Sequence, residues 1–213
     1  IPKVWRNRVE LVPNPIPFVV EKLKIEDKKR IILYCGRIHR EKGLILLARS
    51  LKHIRLNGWK VLIVGPSSIE QGGSGISFLE KIKVLTSGYF VEFLGPIYDD
   101  AELAKVYHSA SIFVYPSIAE TGETFGSAPL EAMAWGAVPV VSNLACFKDF
   151  IADRVNGLIF DHSALNPEIE LATAINKLIL DEPTRLRMAQ SALNVNNTHS
   201  ARSIAEQFLS IFK

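Results

Sequence analysis

The sequence is poor in cysteine and carries little net charge, and each shortage closes off a class of explanation. Two cysteines, Cys35 and Cys146, in 213 residues are too few for a disulfide framework. Cys35 lies within an apolar run and reads as a buried thiol. The formal net charge is only +3, which does not call for nucleic acid but suits an anionic ligand. No apolar run approaches the ~20 residues that span a bilayer. The opening residues lack the pattern of a signal peptide. The chain starts at Ile1 rather than Met, which is the expectation for a fragment or a processed product. None of the five histidines has metal-site spacing such as His-Glu-x-x-His. A Walker A loop and a Gly-x-Gly-x-x-Gly dinucleotide fingerprint are both missing.

What is present is a well-packed α/β pattern. Hydrophobic residues make up 48% and charged residues 22%, enough for one large domain or two small ones with a proper core. Short runs rich in β-branched and aromatic residues, at 30–36, 60–65, 89–95, 111–117, 137–143 and 157–161, read as buried strands. Between them, 42–58, 77–88, 99–110, 127–136 and 146–157 repeat apolar residues at helical spacing, and several stop at glycine. Such alternation predicts one Rossmann-like domain, a parallel sheet of about six strands with helices on both faces. The domain is expected over 18–213, with 167–213 forming two or three helices. Residues 1–17, punctuated by proline, read as an incoming strand and linker, with the basic "KVWRNR" as a surface strand. The polar "PSSIEQGGSG" at 66–75 reads as a mobile loop.

Ligands of open α/β sheets bind beyond the carboxyl ends of the strands. After the first strand comes "GRIHREKG", in which Gly36 permits an unusual turn and Arg37 and Lys42 flank a helix start. Cations beside free helix N–H groups suit phosphate or pyrophosphate, although a solvated basic loop carrying an exposed His39 gives the same string. After the fourth strand, "GETFGSAPLEAMAWG" places Glu123 and Glu131 eight positions apart around a helix start. Glu123 could cap that helix. Glu131, further in among small residues, would be a buried carboxylate that needs partners, and neighbouring sugar hydroxyls are suitable ones. "YDDAE" at 98–102 suggests a metal-binding acid pair, but Asp99 and Glu102 fit a capping box better.

Together these pieces resemble the C-terminal, nucleotide-sugar-binding domain of group 1 retaining glycosyltransferases, one half of a GT-B architecture. The resemblance runs in order over about 180 residues, through "LVPNPIP", "GRIHREKG", "VLIVGP", "VEFLGPI", "AELAKVYHSASIFVYPS", "ETFGSAPLEAMAWGAVPVVSN" and "NGLIF". The two glutamates separated by seven intervening residues within "ETFGSAPLE" are its most specific mark. By resemblance, Glu123 binds hydroxyls of the donor sugar and Glu131 accepts from the two ribose hydroxyls. Backbone near Phe125, Gly126, Ser127 and Leu130 faces the sugar and phosphates. Arg37 and Lys42 are the pyrophosphate cations, beside Gly36. Gly65, Gly95, Pro96 and Ile97 lie near the base. Glu120 occupies the family's usual place for the first acid, so it could help or replace Glu123.

The resemblance implies an NDP-sugar such as a UDP- or GDP-hexose as donor, transfer with retention, and no metal or other cofactor. It also implies a glycan or glycolipid acceptor held by an N-terminal domain absent from this chain, with little transfer by the chain alone. The expected setting is the cytoplasm, with room for peripheral association of the full-length enzyme at the inner face of the membrane, in lipopolysaccharide or polysaccharide assembly. Alternatives are a nucleotide-sugar 2-epimerase or a phosphorylase of the same architecture, or a non-catalytic nucleotide-binding module. The last helix, "ARSIAEQFLSIF", carries an apolar stripe suited to a partner domain, to self-association or to the core.

Overall fold

A computed structural model describes residues 9–20 and 23–212; "KVWRNR" lies outside them. Six strands form one sheet: β1 (Lys29–Cys35), β2 (Lys60–Val64), β3 (Val91–Gly95), β4 (Ala110–Tyr115), β5 (Val138–Ser142) and β6 (Leu158–Phe160). Their order is β3-β2-β1-β4-β5-β6 and every pairing is parallel. All residues of β4 and β5 are buried, so neither face of the sheet centre meets water. That burial on alternating side chains is why these runs are continuously apolar. Only the edge strand β3 alternates between half-buried and exposed. Pro139 is tolerated within β5 because β6 pairs only from Val140 onward, beyond the missing N–H.

The covering helices are α1 (Leu44–Ser50), α2 (Ile76–Leu85), α3 (Asp100–Ser109), α4 (Ser127–Ala134), α5 (Pro167–Leu180), α6 (Glu182–Ala192), α7 (Val195–Thr198) and α8 (Ala201–Ser210). α1 packs against α2 and α5, and α4 against α6 and α7. Asp99 caps α3, its Oδ1 accepting from the Glu102 N–H at 2.8 Å, as the capping-box reading requires of the aspartate. At the other end of α3, the Lys28 ammonium donates to the carbonyls of Tyr107, His108 and Ala110 at 3.4, 3.1 and 2.7 Å. No helix among the described residues is long and apolar enough to cross a membrane.

Several expectations need correction. Residues 9–17 form no strand. Pro13, Pro15 and Pro17 remove every second N–H there, and the Ile16 N–H instead donates to the His199 carbonyl at 2.8 Å. The stretch 146–157 is not a long helix; it forms only a 3₁₀ turn at Ala145–Asp149. Asn156 competes for its backbone, accepting from the Ala152 N–H at 2.8 Å and donating to the Phe150 carbonyl at 2.9 Å. The tail holds four helices rather than two or three, interrupted where Asp181 caps α6 ahead of Pro183 and where Ser200 caps α8. The loop 66–75 is laced to the loop after β1, with Ile38 N–H to Pro66 O at 2.8 Å and Ser74 N–H to Ile38 O at 3.0 Å. Cys35 is half-buried rather than fully buried.

Gly43 joins the phosphate-loop candidate to α1 in a left-handed conformation, φ 71°. A Cβ there would lie 1.8 Å from the Pro116 carbonyl oxygen, so the loops after β1 and β4 touch only because glycine stands at this position. Gly43→Ala is therefore expected to cost at least the ~1–3 kcal/mol typical of a strained non-glycine backbone. Urea unfolding of the variant beside wild type measures it, and an unchanged midpoint would contradict the close approach.

Candidate functional site

The sheet order reverses between β1 and β4, which leaves a crevice at their carboxyl ends where connections diverge to opposite sides. The sequence-predicted residues converge on this crevice from two loops. In the first, Arg40–Lys42 forms a 3₁₀ turn ended by Gly43, which turns the Lys42 side chain inward. In the second, the chain leaves β4, passes Glu123 and enters α4 through Gly126, whose φ of 85° makes the sharp bend. The loops are stitched by the Glu41 carbonyl, which accepts from Ile118 N–H at 2.8 Å and Ser117 Oγ at 3.3 Å.

At the meeting point the Lys42 ammonium contacts Glu123 Oε2 at 2.7 Å, with the two side chains 6% and 9% exposed. Beneath it lies Tyr115, whose ring centroid is 5.6 Å from the ammonium. Tyr34 stacks on Tyr115 at 5.8 Å and donates its hydroxyl to the Arg37 carbonyl at 2.8 Å. Burial first, and then the Glu123 charge, hold the Tyr115 hydroxyl far above its usual pKa, so it stays a neutral donor. The Cys146 thiol is pushed up to about 11, by burial first and by the same carboxylate second. Neither group is a nucleophile near neutral pH.

Arg37 is exposed and is gripped by the Gly72 carbonyl at 3.2 Å and Glu41 Oε1 at 3.4 Å. Its charge opposes, in small part, the upward shift of the Tyr115 hydroxyl, while Lys42 is the cation over that ring. His39 is half-buried rather than exposed; its Nδ1 accepts from the Glu41 N–H at 3.5 Å. Gly36 donates its N–H to Val64 O, and Gly65 to Gly95 O, each at 2.9 Å. A Cβ on Gly65 would lie 2.0 Å from the Gly36 carbonyl oxygen, so Gly65 lets the strand ends close together. Pro96 is exposed and Ile97 half-buried at the carboxyl end of β3.

Along α4, Ser127 is exposed at the first position, and Phe125 packs against Phe150 with centroids 5.4 Å apart. Leu130 corrects the sequence reading. Its side chain is 1% exposed in the core and its N–H donates to the Gly126 carbonyl at 3.5 Å, so neither group faces the crevice. Glu131 is half-buried, and its Oε2 accepts from the Tyr107 hydroxyl at 3.0 Å. It borders a cavity of about 380 Å³, with Phe18, Asp100, Ala104, Tyr107 and Trp135. Desolvation raises the Glu131 carboxyl above its ordinary 4.5, Tyr107 opposes this, and the nearby Asp100 charge adds to it. A second cavity of about 550 Å³ lies beside Thr124 and Phe125, walled by Asn14, Asp149, His199 and Gln207.

Glu120 is not at the crevice pair. Its carboxylate bonds His162 Nε2 at 2.8 Å, while Glu123 meets Lys42. Among the described residues, no group of three or more His, Cys, Asp or Glu side chains is placed to hold a metal. Sequence reasoning missed Tyr34, Tyr107 and Tyr115. Each lies in an apolar run, where a tyrosine looks like core, and only its meeting with a charged group marks it out.

A family model described as glycosyl transferases group 1 matches residues 16–195. The alpha-maltose-1-phosphate synthase of Mycolicibacterium smegmatis is 28% identical over 210 residues, covering 94% of this chain and 52% of that protein. The lipopolysaccharide 1,2-N-acetylglucosaminetransferase of Salmonella typhimurium is 24% identical, covering 92% and 51%. The chain thus spans about half the length of the curated relatives it matches. In fold it superposes on an Anabaena protein crystallised with UDP and glucose, at TM-score 0.72 and 18% identity over 88% of this chain and 49% of that one.

The buried pair makes a checkable prediction. Lys42→Ala leaves the Glu123 carboxylate buried without its cation, which should cost about 3–5 kcal/mol in unfolding free energy. Adding Glu123→Gln should recover a large part of that loss. Denaturant unfolding of the two variants decides the matter: equal losses in single and double variant would mean that the pair is not coupled.

Proposed function

The chain belongs to the group 1 glycosyl transferases, and on that premise we propose that it is the donor-binding unit of a retaining glycosyltransferase. In this reading it holds a nucleoside-diphosphate hexose for transfer to a glycan or lipid-linked acceptor. The observation that carries the reading is the Lys42–Glu123 pair at the crevice between β1 and β4, with Glu131 eight residues further on. That spacing sets Glu123, in the loop before α4, beside a buried cation and Glu131, on α4, beside a separate cavity. A ligand with a sugar at one end and a ribose at the other matches two acceptors set apart in this way.

The chemistry follows from charge. Cleavage of the sugar–phosphate bond leaves a nucleoside diphosphate whose negative charge grows as the bond breaks. Lys42, Arg37 and the N–H groups at the start of α4 are positive groups fixed before the reaction, so they stabilise that charge without reorganising. Lys42 would contact phosphate while Glu123 turns its free lone pairs to sugar hydroxyls. These groups do the work that a metal does in other transferases, which supports a metal-independent reaction. Retention follows if the acceptor attacks the face from which the diphosphate leaves. The acceptor would come from outside this chain. The lipopolysaccharide enzyme among the relatives supports a role in polysaccharide or lipopolysaccharide assembly.

Calorimetric titration with UDP, GDP and ADP, each with and without Mg²⁺, tests the reading. Saturable binding of one nucleotide, indifferent to Mg²⁺, is the expected result, and no binding to any of the three would sink it. Arg37→Ala and Glu131→Ala should each weaken that binding by roughly 1.5–3 kcal/mol, the worth of a hydrogen bond to a charged group. Hydroxyl recognition needs the ionised Glu131, whose carboxyl is raised above 4.5. Affinity should therefore hold near neutral pH and fall as pH drops through that raised value. A flat profile across this window would contradict the role of Glu131.

A further inference from the structure

Glu131 is in an awkward position. Desolvation favours its neutral form, and Asp100 in the first turn of α3 pushes the same way. The described charged or titratable groups acting on it are Asp100, the Tyr107 hydroxyl and the Cys35 thiol; none is a cation. A protonated carboxyl has lost an acceptor site and gained a donor, which is the wrong inventory for a pair of adjacent hydroxyls. Something must keep it ionised and hold its plane.

Tyr107 is the group placed to do so. It is 1% exposed on α3, and its hydroxyl donates to Glu131 Oε2 at 3.0 Å. Three features fix that hydroxyl. The Lys28 ammonium clamps the end of α3 through the Tyr107, His108 and Ala110 carbonyls. The Tyr107 ring packs against Phe113 of β4, with centroids 6.0 Å apart. Burial holds its phenol far above the usual pKa, so it remains a donor. One oxygen of the carboxylate is thus held from within, and the remaining lone pairs lie beside the 380 Å³ cavity that both residues line.

We infer that Tyr107 is a positioning residue that presents Glu131 as a fixed, ionised acceptor for a vicinal diol, and so makes the site select ribonucleotides over 2′-deoxyribonucleotides. The inference rests on the donor-binding reading above. A diol donates two hydrogen bonds to one carboxylate, and a deoxyribose only one, so the ribonucleotide depends more on the orientation that Tyr107 sets.

The test compares UDP with 2′-deoxy-UDP, or the GDP or ADP pair if that base binds, on wild type and Tyr107→Phe. Affinity is measured from the ordinary carboxyl value of 4.5 upward to about pH 8, with thermal melting to verify folding. Wild type should prefer the ribonucleotide. The variant should lose about three- to tenfold in ribonucleotide affinity, less than the loss of a direct hydrogen bond to a charged group, because Tyr107 acts through Glu131. Its deoxynucleotide affinity should change less, and the pH midpoint for binding should move upward. A purely structural tyrosine would weaken both ligands alike and leave the midpoint in place, which would overturn the inference. Wild type that binds both sugars equally would overturn it too, while leaving the donor reading intact. Failure of wild type to bind any of the three diphosphates would instead refute the donor reading and the inference with it.

Discussion

The site depends on a charged pair held out of water. Lys42 and Glu123 come from loops on either side of the point where the sheet order reverses, and their 2.7 Å contact ties the two loops together. Much of the surrounding geometry serves that contact. Gly43 turns the chain close against Pro116, the Glu41 carbonyl collects Ser117 and Ile118, and Tyr115 lies under the ammonium. A buried ion pair is weak evidence for stability, because desolving two charges offsets most of their attraction. On the donor-binding reading, its presence at this crevice is better explained by exchange. Each partner would satisfy the other until a donor brought both an anion and hydroxyls.

The fold was legible because the physics that builds it is local and periodic. Strands buried on both faces must be continuously apolar, and β1, β2, β4 and β5 read as such. The crevice was legible for a similar reason. Strand-then-loop order places "GRIHREKG" and "ETFGSAPLE" at the carboxyl ends, and parallel strands bring those ends to one edge. Spacing to Glu131 favours Glu123 over Glu120, and the structure pairs Glu123 with Lys42 while Glu120 meets His162 from another loop.

What the sequence hid depends on contacts between distant residues. Nothing in "LAKVYHSA" distinguishes Tyr107 from an ordinary core tyrosine until α3 is laid beside α4. Leu130 follows the same logic in reverse. A motif match placed it with the ligand, while the helix turned it into the core. The segments misread as strand or helix, 9–17 and 146–157, failed where side chains or missing N–H groups compete with the backbone pattern. Proline spacing in the first was visible in advance; the Asn156 bridge in the second was not.

The two acids also differ electrostatically, and the difference bears on what the site can hold. Glu123 faces a cation, so an anion approaching Lys42 must compete with a carboxylate already in place. Glu131 accepts from a neutral phenol and has the like charge of Asp100 nearby, so no cation is seen to balance it among the described residues. Free phosphate would therefore gain little at Lys42, because it displaces Glu123 and offers it nothing in return. On the donor-binding reading, a sugar diphosphate would supply the anion to Lys42 and hydroxyls to Glu123 in one event, and its ribose would offer hydroxyls to Glu131. Affinity in such a site grows through coupling of the ends of one ligand rather than through any single contact. On the donor-binding reading, the eight positions from Glu123 in the loop to Glu131 on α4 would set the length of ligand that can collect all of it.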